Sequence, residues 1–207
     1  MVRLGVVNRL AAARALIVFD LEYTAWEGSR ERRWTGPGEH REVVQFGAVR
    51  VVPAEGFAET AALSVLVHPR VNPRLSAYFT GLTGITQERL ESEGVPFPDG
   101  LARFTAFAAG ADALLCNGAD AEVIAETCGL NGMATPFAGT PVIDAGPLLA
   151  EAAGRPGARL SSGTLHTYIP GVPDLGAHDA LADARMVAAA VRIALSRQSR
   201  ESGCAFP

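Results

Sequence analysis

The sequence predicts an α/β fold: one mixed β-sheet, an antiparallel meander followed by parallel strands, with helices on both faces. Two observations carry this prediction. The first third of the chain contains three strand-like segments in succession, separated by turn and loop signals. From residue 86 onwards, segments with helical spacing of apolar residues alternate with short apolar segments typical of buried strands. A meander followed by this alternation implies a single sheet with helices packed against it.

The meander begins with residues 15–19, a continuous apolar run that predicts a buried central strand and leads directly into an Asp-Leu-Glu sequence. Residues 27–41 carry many charges and a Thr-Gly-Pro-Gly turn sequence, which indicate an exposed loop. Residues 42–52 are rich in β-branched side chains and predict the second strand. The third strand is predicted over residues 61–68.

The later elements follow from helical spacing and capping signals. We expect Asn117 to cap the helix that follows the fourth predicted strand, and Asp179 to cap the last helix. The predicted helices cover residues 86–93, 98–109, 119–128, 147–153 and 180 to about 197, and the predicted short strands cover residues 112–116 and 141–143.

Composition limits the class of protein. The chain has 207 residues, 48% of them apolar and 19% charged, which predicts one globular domain over residues 1–197 and a flexible tail over 198–207. The net charge of −4 excludes a general attraction to nucleic acid, so metal ions or a local patch must attract a polyanion. The three cysteines have no metal-like spacing, which argues against disulfides or a zinc site and suits a cytoplasmic protein. No apolar run is long enough to span a membrane, so no membrane partner is expected.

Asp20 and Glu22 form the first candidate pair. The two residues lie two positions apart at the end of a predicted strand. Because side chains alternate along a strand, both carboxylates lie on one side while Leu21 points to the other. Adjacent carboxylates repel each other, and a hard divalent cation such as Mg²⁺ or Mn²⁺ relieves that repulsion. Taken alone, the pair is also typical of a strand end with solvated acids.

Three more residues lie at the ends of elements. Asp120 follows the strand 112–116 across a short turn, at the edge of the sheet where α/β proteins bind ligands, although an acid in a first helical turn is common. His178 lies just before the last helix and Asp183 lies early within it. Four carboxylates and a histidine in this order favour a two-metal phosphodiesterase site, with the histidine as general base.

At these residues the sequence resembles the DEDDh exonucleases, the DnaQ-like branch of the RNase H-like superfamily. The first motif is Val-Phe-Asp-Leu-Glu-Tyr-Thr at 18–24, and the third covers 178–183. Residues 73–87 and the strand segment 42–49 are similar to the branch containing KapD and the eukaryotic small-RNA and histone-mRNA 3′-exonucleases. The resemblance extends over residues 16–191 and implies an RNase H-like sheet.

The resemblance implies a role for each candidate. Asp20 would bridge two divalent ions, Mg²⁺ or Mn²⁺. Glu22 and Asp183 would hold the ion that carries the attacking water, and Asp120 would support the second ion. His178 would take the proton of the attacking water.

The implied reaction is stepwise hydrolysis of single-stranded RNA or DNA from a 3′-hydroxyl end, releasing nucleoside 5′-monophosphates. The branch favours RNA. The substrate-binding residues implied near the terminal nucleotide are Thr24, Leu82, Thr83, Gly84 and Ile85.

The second motif departs from the family pattern. Family members usually carry a bulky residue before its acid, whereas Ala119 precedes Asp120 here, after a short turn. Asp112 is a poorer rival because it lies at the wrong end of its strand, and Asp144 fits no family position. The alternative function is therefore a catalytically silent module that binds nucleic acid or protein, and a weaker one is a hydrolase for another phosphodiester.

The loop after the first strand offers one further candidate surface. Arg30, Arg32 and Arg33 beside Trp34 combine positive charge with a stacking ring, as nucleic-acid contacts do. Acidic residues, Glu42 among them, share the region, and a solvated loop is the favoured interpretation.

Overall fold

The computed structural model of the protein describes residues 9–137 and 139–201. Its centre is a six-stranded mixed sheet in the order β4-β3-β2-β1-β5-β6. The strands are β1 (Leu16–Tyr23), β2 (Val43–Val52), β3 (Ala58–His68), β4 (Val95–Pro96), β5 (Ala113–Cys116) and β6 (Val142–Asp144). The helices are α1 (Ala77–Thr83), α2 (Gln87–Glu93), α3 (Phe97–Ala108), α4 (Asp120–Leu130), α5 (Gly146–Ala152), α6 (Leu165–Tyr168) and α7 (Ala180–Glu201).

The pairing of the strands confirms the predicted mixed sheet. Strands β1, β2 and β3 form an antiparallel meander, whereas β5 pairs parallel to β1 and β6 pairs parallel to β5. Strand β1 therefore lies where the antiparallel meander meets the parallel strands β5 and β6, while β4 pairs parallel to β3 at the other edge.

Helices cover both faces of the sheet because the side chains of β1 alternate between two cores. Leu16 and Val18 pack in one core with α5, α6 and α7. Ile17, Phe19 and Leu21 pack in the other core with α3 and α4. Asp20 and Glu22 continue the first of these faces, so both carboxylates lie on the side of the sheet that α7 covers.

Some boundaries differ from the prediction. Strand β1 extends to Tyr23, so the acidic pair lies inside the strand, where its pairing with β2 continues to Tyr23. Helix α1 and the short strand β4 were not predicted. Helix α7 extends to Glu201, which makes residues 198–201 of the predicted tail helical, while 1–8 and 202–207 lie outside the described residues.

A glycine lets α7 approach the sheet closely. A Cβ atom at Gly47 of β2 would lie 2.0 Å from the carbonyl carbon of Ala180 and 2.2 Å from the amide nitrogen of Leu181. Both are backbone atoms of the first turn of α7. Only glycine therefore allows the start of α7 to pack directly on β2.

No helix within residues 9–137 and 139–201 is both long and apolar enough to cross a membrane.

Candidate active site

The central strand supplies the first two acids of the site. Asp20 and Glu22 are each only 7% exposed, although both are ionisable. Asp20 pairs with Gly47 and Glu22 with Gln45 across the β1–β2 ladder. Because the ladder with β2 continues past both acids to Tyr23, the two carboxylates are carried by a hydrogen-bonded strand.

Asp120 is the first residue of α4, directly beyond the end of β5. Its carboxylate accepts hydrogen bonds from its own backbone N–H and from that of Leu21, between the two acids of β1. The short turn that carries it is held by Asp144, whose Oδ1 accepts hydrogen bonds from the Gly118 and Gly146 N–H groups at 2.9 and 2.8 Å. The small residue Ala119 thus precedes an acid that lies beside β1.

The start of α7 supplies His178 and Asp183. Asp179 caps the helix as predicted, because its Oδ1 accepts a hydrogen bond from the Ala182 N–H at 3.0 Å. The His178 N–H donates to Asp183 Oδ2 at 3.3 Å, with His178 in the left-handed backbone region at φ 66°. Asp183 Oδ1 is buried and has no hydrogen-bond partner in the described part of the chain.

These elements converge on one point. One ligand atom each from Glu22, His178 and Asp183 lie within 4.8 Å of one another. Asp20 and Asp120 are close enough to influence each other electrostatically. The structure therefore brings together the acids and the histidine singled out in the sequence.

The crowding of buried acids changes their protonation. Burial, followed by the negative charges of Asp183 and Asp120, raises the pKa of Glu22 to about 8. Burial and the neighbouring carboxylates likewise raise the pKa of Asp20 well above its ordinary value, and burial raises the pKa values of Asp120 and Asp183. Such a cluster holds protons when no cation is bound, and divalent cations would replace those protons.

His178 is shifted in the opposite direction. Burial and the positive charge of Arg30 lower the pKa of the imidazole below its usual 6.5. His178 is therefore neutral at pH 7 and able to accept a proton.

Ser162, which no sequence pattern singled out, supports Asp20. The Ser162 hydroxyl donates to Asp20 Oδ1 at 2.8 Å and accepts from Asn117 Nδ2 at 3.2 Å. Asn117 Nδ2 also donates to the Leu160 carbonyl, at 2.8 Å. The expectation that Asn117 caps α4 was wrong: Ala119 occupies the cap position, and the Asn117 amide is used in this hydrogen-bonded chain.

Gln45 is a second missed residue. It is fully buried on β2, opposite Glu22. Its Nε2 donates to Asp179 Oδ2 at 3.1 Å, and its Oε1 accepts from the Ala180 N–H at 3.1 Å. The side chain thus binds the first turn of α7 to the strand beside β1. An apolar-flanked glutamine in a buried strand is the only sequence signal for this role.

The residues implied as substrate contacts divide into a buried pair, Thr24 and Ile85, and a more accessible group at the end of α1, residues 82–84. Thr24 and Ile85 are buried: the Thr24 hydroxyl donates to the His40 carbonyl at 2.5 Å, and Ile85 packs in a core cluster. The Leu82 side chain is 37% exposed on α1. The Thr83 hydroxyl donates to the Phe79 carbonyl, and Gly84 ends α1 at φ 70°.

Helix α1 is attached to the segment that follows the acidic strand. The Ser76 hydroxyl accepts from the Phe79 N–H as the cap of α1 and donates to the Ala25 carbonyl at 2.5 Å. Exposed Leu82 is therefore carried by a helix that is bonded to the chain just beyond β1.

The loop between β1 and β2 is folded rather than solvated throughout. Trp34 packs against Tyr23 at 5.5 Å between ring centroids, and its Nε1 donates to the Thr24 carbonyl at 2.9 Å. Glu42, grouped above with the solvated charges, is fully buried and accepts hydrogen bonds from the N–H groups of Arg70, Val71 and Asn72. The positive charge of Arg30 in this loop contributes to lowering the pKa of the His178 imidazole.

A mixed sheet of this strand order, with helices on both faces and buried acids beside its central strand, defines the class of the protein: it has the RNase H-like exonuclease fold. The chain belongs to the exonuclease family RNase_T, whose model matches residues 17–191. The resemblance to DEDDh exonucleases in the sequence is confirmed.

Two curated relatives match parts of the chain. The "ERI1 exoribonuclease 2" of Danio rerio is 39% identical over 77 residues, which are 37% of this chain and 12% of the relative. The "3′-5′ exonuclease Snipper" of Drosophila melanogaster is 36% identical over 89 residues, 43% of this chain and 30% of the relative. The match thus spans well under two thirds of the length of either relative.

Solved structures share the fold. The nuclease domain of 3′hExo, described as a DEDDh family member bound to rAMP, has a TM-score of 0.68 and 19% identity, covering 95% of this chain and 96% of that one. Exonuclease I of E. coli in complex with a dT13 oligonucleotide has a TM-score of 0.69 and 19% identity, covering 91% of this chain and 42% of that one.

Proposed function

We propose that the protein is a metal-dependent 3′–5′ exonuclease that degrades single-stranded nucleic acid, RNA in preference to DNA, to nucleoside 5′-monophosphates. The observation that carries this proposal is the convergence of Glu22, His178 and Asp183 within 4.8 Å, beside the buried Asp20 and Asp120. A neutral imidazole next to several carboxylates suits metal-assisted hydrolysis of a phosphodiester.

The side chains present fit two divalent ions. Asp20, Glu22, Asp120 and Asp183 would hold them, because carboxylate oxygens are the ligands that Mg²⁺ and Mn²⁺ prefer. The buried, unpartnered Asp183 Oδ1 supports this assignment, as do the raised pKa values of the cluster. When bound, such ions supply charge stabilisation and lower the pKa of a coordinated water.

His178 supplies the proton acceptor in this proposal. Its imidazole takes a proton from the attacking water, whose oxygen forms a bond to phosphorus while the bond from phosphorus to the 3′-oxygen of the preceding nucleotide breaks. That 3′-oxygen then takes a proton from solvent water and becomes the new 3′-hydroxyl end. The released nucleotide keeps its phosphate on the 5′-oxygen.

Two features support the binding of a single strand at the site. Exposed Leu82 on α1 offers an apolar surface for the terminal base, as the family resemblance implies. Arg30 offers positive charge for the phosphate backbone, and its charge already acts on His178. The preference for RNA is supported by the Danio rerio relative, which is named as an exoribonuclease, and by the rAMP bound in the 3′hExo structure.

A gel assay tests the proposal directly. Single-stranded RNA and DNA of matched sequence, labelled at the 5′ end, are incubated with Mg²⁺, with Mn²⁺ and with chelator. We expect a ladder that shortens from the 3′ end. It should be lost with chelator, and also in Asp20→Asn, because one of the carboxylates that would hold the ions is then removed.

The control variant is Glu31→Gln, which neutralises an exposed loop carboxylate and should leave the ladder unchanged. Substrate that stays intact both with Mg²⁺ and with Mn²⁺ would refute the exonuclease proposal and favour a silent binding module. Equal degradation of RNA and DNA would refute the preference for RNA alone.

A further inference from the structure

One part of the site has a different donor chemistry from the rest. Of all combinations of three histidine, cysteine or acidic residues in the described chain, Glu22, His178 and Asp183 are the group whose ligand atoms come within 4.8 Å of one another. Two carboxylates and one imidazole form a mixed oxygen and nitrogen set. Mg²⁺ strongly prefers oxygen ligands, whereas imidazole suits Zn²⁺, Co²⁺ and Ni²⁺.

The backbone that carries the imidazole is bonded to the other elements of the site. His178 adopts a φ of 66°, a region that non-glycine residues rarely occupy, and its N–H is bonded to Asp183 Oδ2 at 3.3 Å. The first turn of α7 is in turn bonded to Gln45 of β2, next to Glu22. The three donors therefore belong to elements that are already tied together.

The unpartnered oxygen points to a ligand at this position. Asp183 is 4% exposed, and its Oδ1 is buried without a hydrogen-bond partner in the described chain. A Cβ atom on Gly163 would come within 3.1 Å of that oxygen, so the space beside it depends on a glycine. A buried carboxylate oxygen without a donor is costly unless a cation occupies the site.

We propose that Zn²⁺ and related borderline transition-metal ions bind Glu22, His178 and Asp183 together, in a coordination mode that Mg²⁺ does not use, and thereby inhibit the enzyme. Three protein ligands and one open position are a common zinc arrangement. Bonds of about 2.0–2.1 Å place the ligand atoms of a tetrahedral ion roughly 3.4 Å apart. The separations between the three donor atoms, now within 4.8 Å, must therefore shorten by about 1.5 Å or less when the ion binds. The inhibition rests on the proposed function, because the ion takes the imidazole lone pair that would accept the proton of the attacking water.

Calorimetry tests the coordination without using activity. Zn²⁺, Co²⁺ and Mg²⁺ are titrated separately into chelator-stripped wild type, His178→Ala and the control His40→Ala, which removes an exposed imidazole of the β1–β2 loop. We expect His178→Ala to lose at least about tenfold in Zn²⁺ and Co²⁺ affinity and less than about twofold in Mg²⁺ affinity. His40→Ala should bind all three ions as wild type does.

The visible spectrum of the Co²⁺-loaded protein gives a second readout. With a nitrogen donor on the ion, the Co²⁺-loaded wild type should show a visible absorption band. That band should be shifted or weakened in His178→Ala, because the variant lacks the nitrogen donor. If His178→Ala does not fold, as judged by circular dichroism, His178→Gln replaces it. Unchanged Zn²⁺ affinity and an unchanged Co²⁺ spectrum in the folded variant would overturn the proposed coordination.

Hydrolysis measured in parallel separates the two proposals. Added Zn²⁺ should suppress Mg²⁺-dependent hydrolysis by wild type. Full activity with Zn²⁺ bound would overturn the inhibition. If wild type lacks hydrolysis but His178→Ala still loses Zn²⁺ affinity, the metal site stands and the exonuclease proposal fails.

Discussion

Replacing Glu22 with glutamine should stabilise the protein when no metal is bound. The pKa of Glu22 rises from 4.5 to about 8 in the folded state, chiefly through burial. The folded carboxyl then holds a proton that the unfolded chain has already released, so stability falls as pH rises from about 4.5 towards 8. At pH 7 this costs about 3 kcal/mol relative to a neutral side chain, and about 5 kcal/mol well above pH 8.

Glutamine has the same shape and no charge, so Glu22→Gln removes this cost. A gain of about 3 kcal/mol corresponds to a rise in melting temperature of about 6–12 °C for a chain of this size. We expect that rise in chelator at pH 7 and a smaller one at pH 5. Added Mg²⁺ or Mn²⁺ should stabilise wild type more than the variant, because the variant lacks one ligand.

Thermal melts monitored by circular dichroism from pH 5 to pH 9, with chelator and with metal, measure these effects. Glu31→Gln is the matched control, because it changes the same groups on an exposed loop and should not alter the melting temperature. The reasoning is refuted if Glu22→Gln melts at the wild-type temperature in chelator at pH 7. A wild-type melting temperature that does not fall between pH 5 and pH 8 in chelator would refute it equally.

Two further variants test the elements around the site. Gly47→Ala should destabilise the protein by about 3 kcal/mol and reduce hydrolysis, because the new Cβ would meet backbone atoms of α7 at 2.0–2.3 Å. The control is Gly81→Ala on α1, whose Cβ would meet nothing within 4 Å and which should be neutral or slightly stabilising. A denaturant titration of both variants measures the two free energies of unfolding. Equal stabilities for the two would contradict the close packing of α7. Ser162→Ala should raise the Mg²⁺ concentration for half-maximal hydrolysis about tenfold or more, because a hydrogen bond to a charged group contributes about 1.5–3 kcal/mol. Ser162→Thr, which keeps the hydroxyl, should restore it, and an unchanged Mg²⁺ dependence in Ser162→Ala would exclude a role in holding Asp20.

The predicted boundaries differed from the structure where tertiary contacts compete with local signals. Asn117 has the side chain of a helix cap, but its amide is bonded to Leu160 and Ser162 instead. Helix α1 has only seven residues, with a glycine and threonines inside it, so its own sequence predicts it weakly. The Ser76 cap was the available signal.

Glu42 shows the same competition for a charged residue. Its sequence neighbours are the charges of an exposed loop, which predicts solvation. In the structure it is fully buried because three consecutive N–H groups at 70–72 donate to its carboxylate. The partners lie 28 to 30 residues away along the chain, beyond the range of any local pattern.

The sequence by itself determined the features that follow from local geometry. Strand periodicity placed Asp20 and Glu22 on one face, and the order of strand-like and helical segments determined the mixed sheet with helices on both sides. Tertiary structure alone decided how the site is supported, since Ser162 reaches Asp20 across 142 residues and Gln45 reaches Asp179 across 134. Backbone periodicity is written into neighbouring residues, whereas a hydrogen bond between distant side chains exists only once the sheet and α7 have packed together.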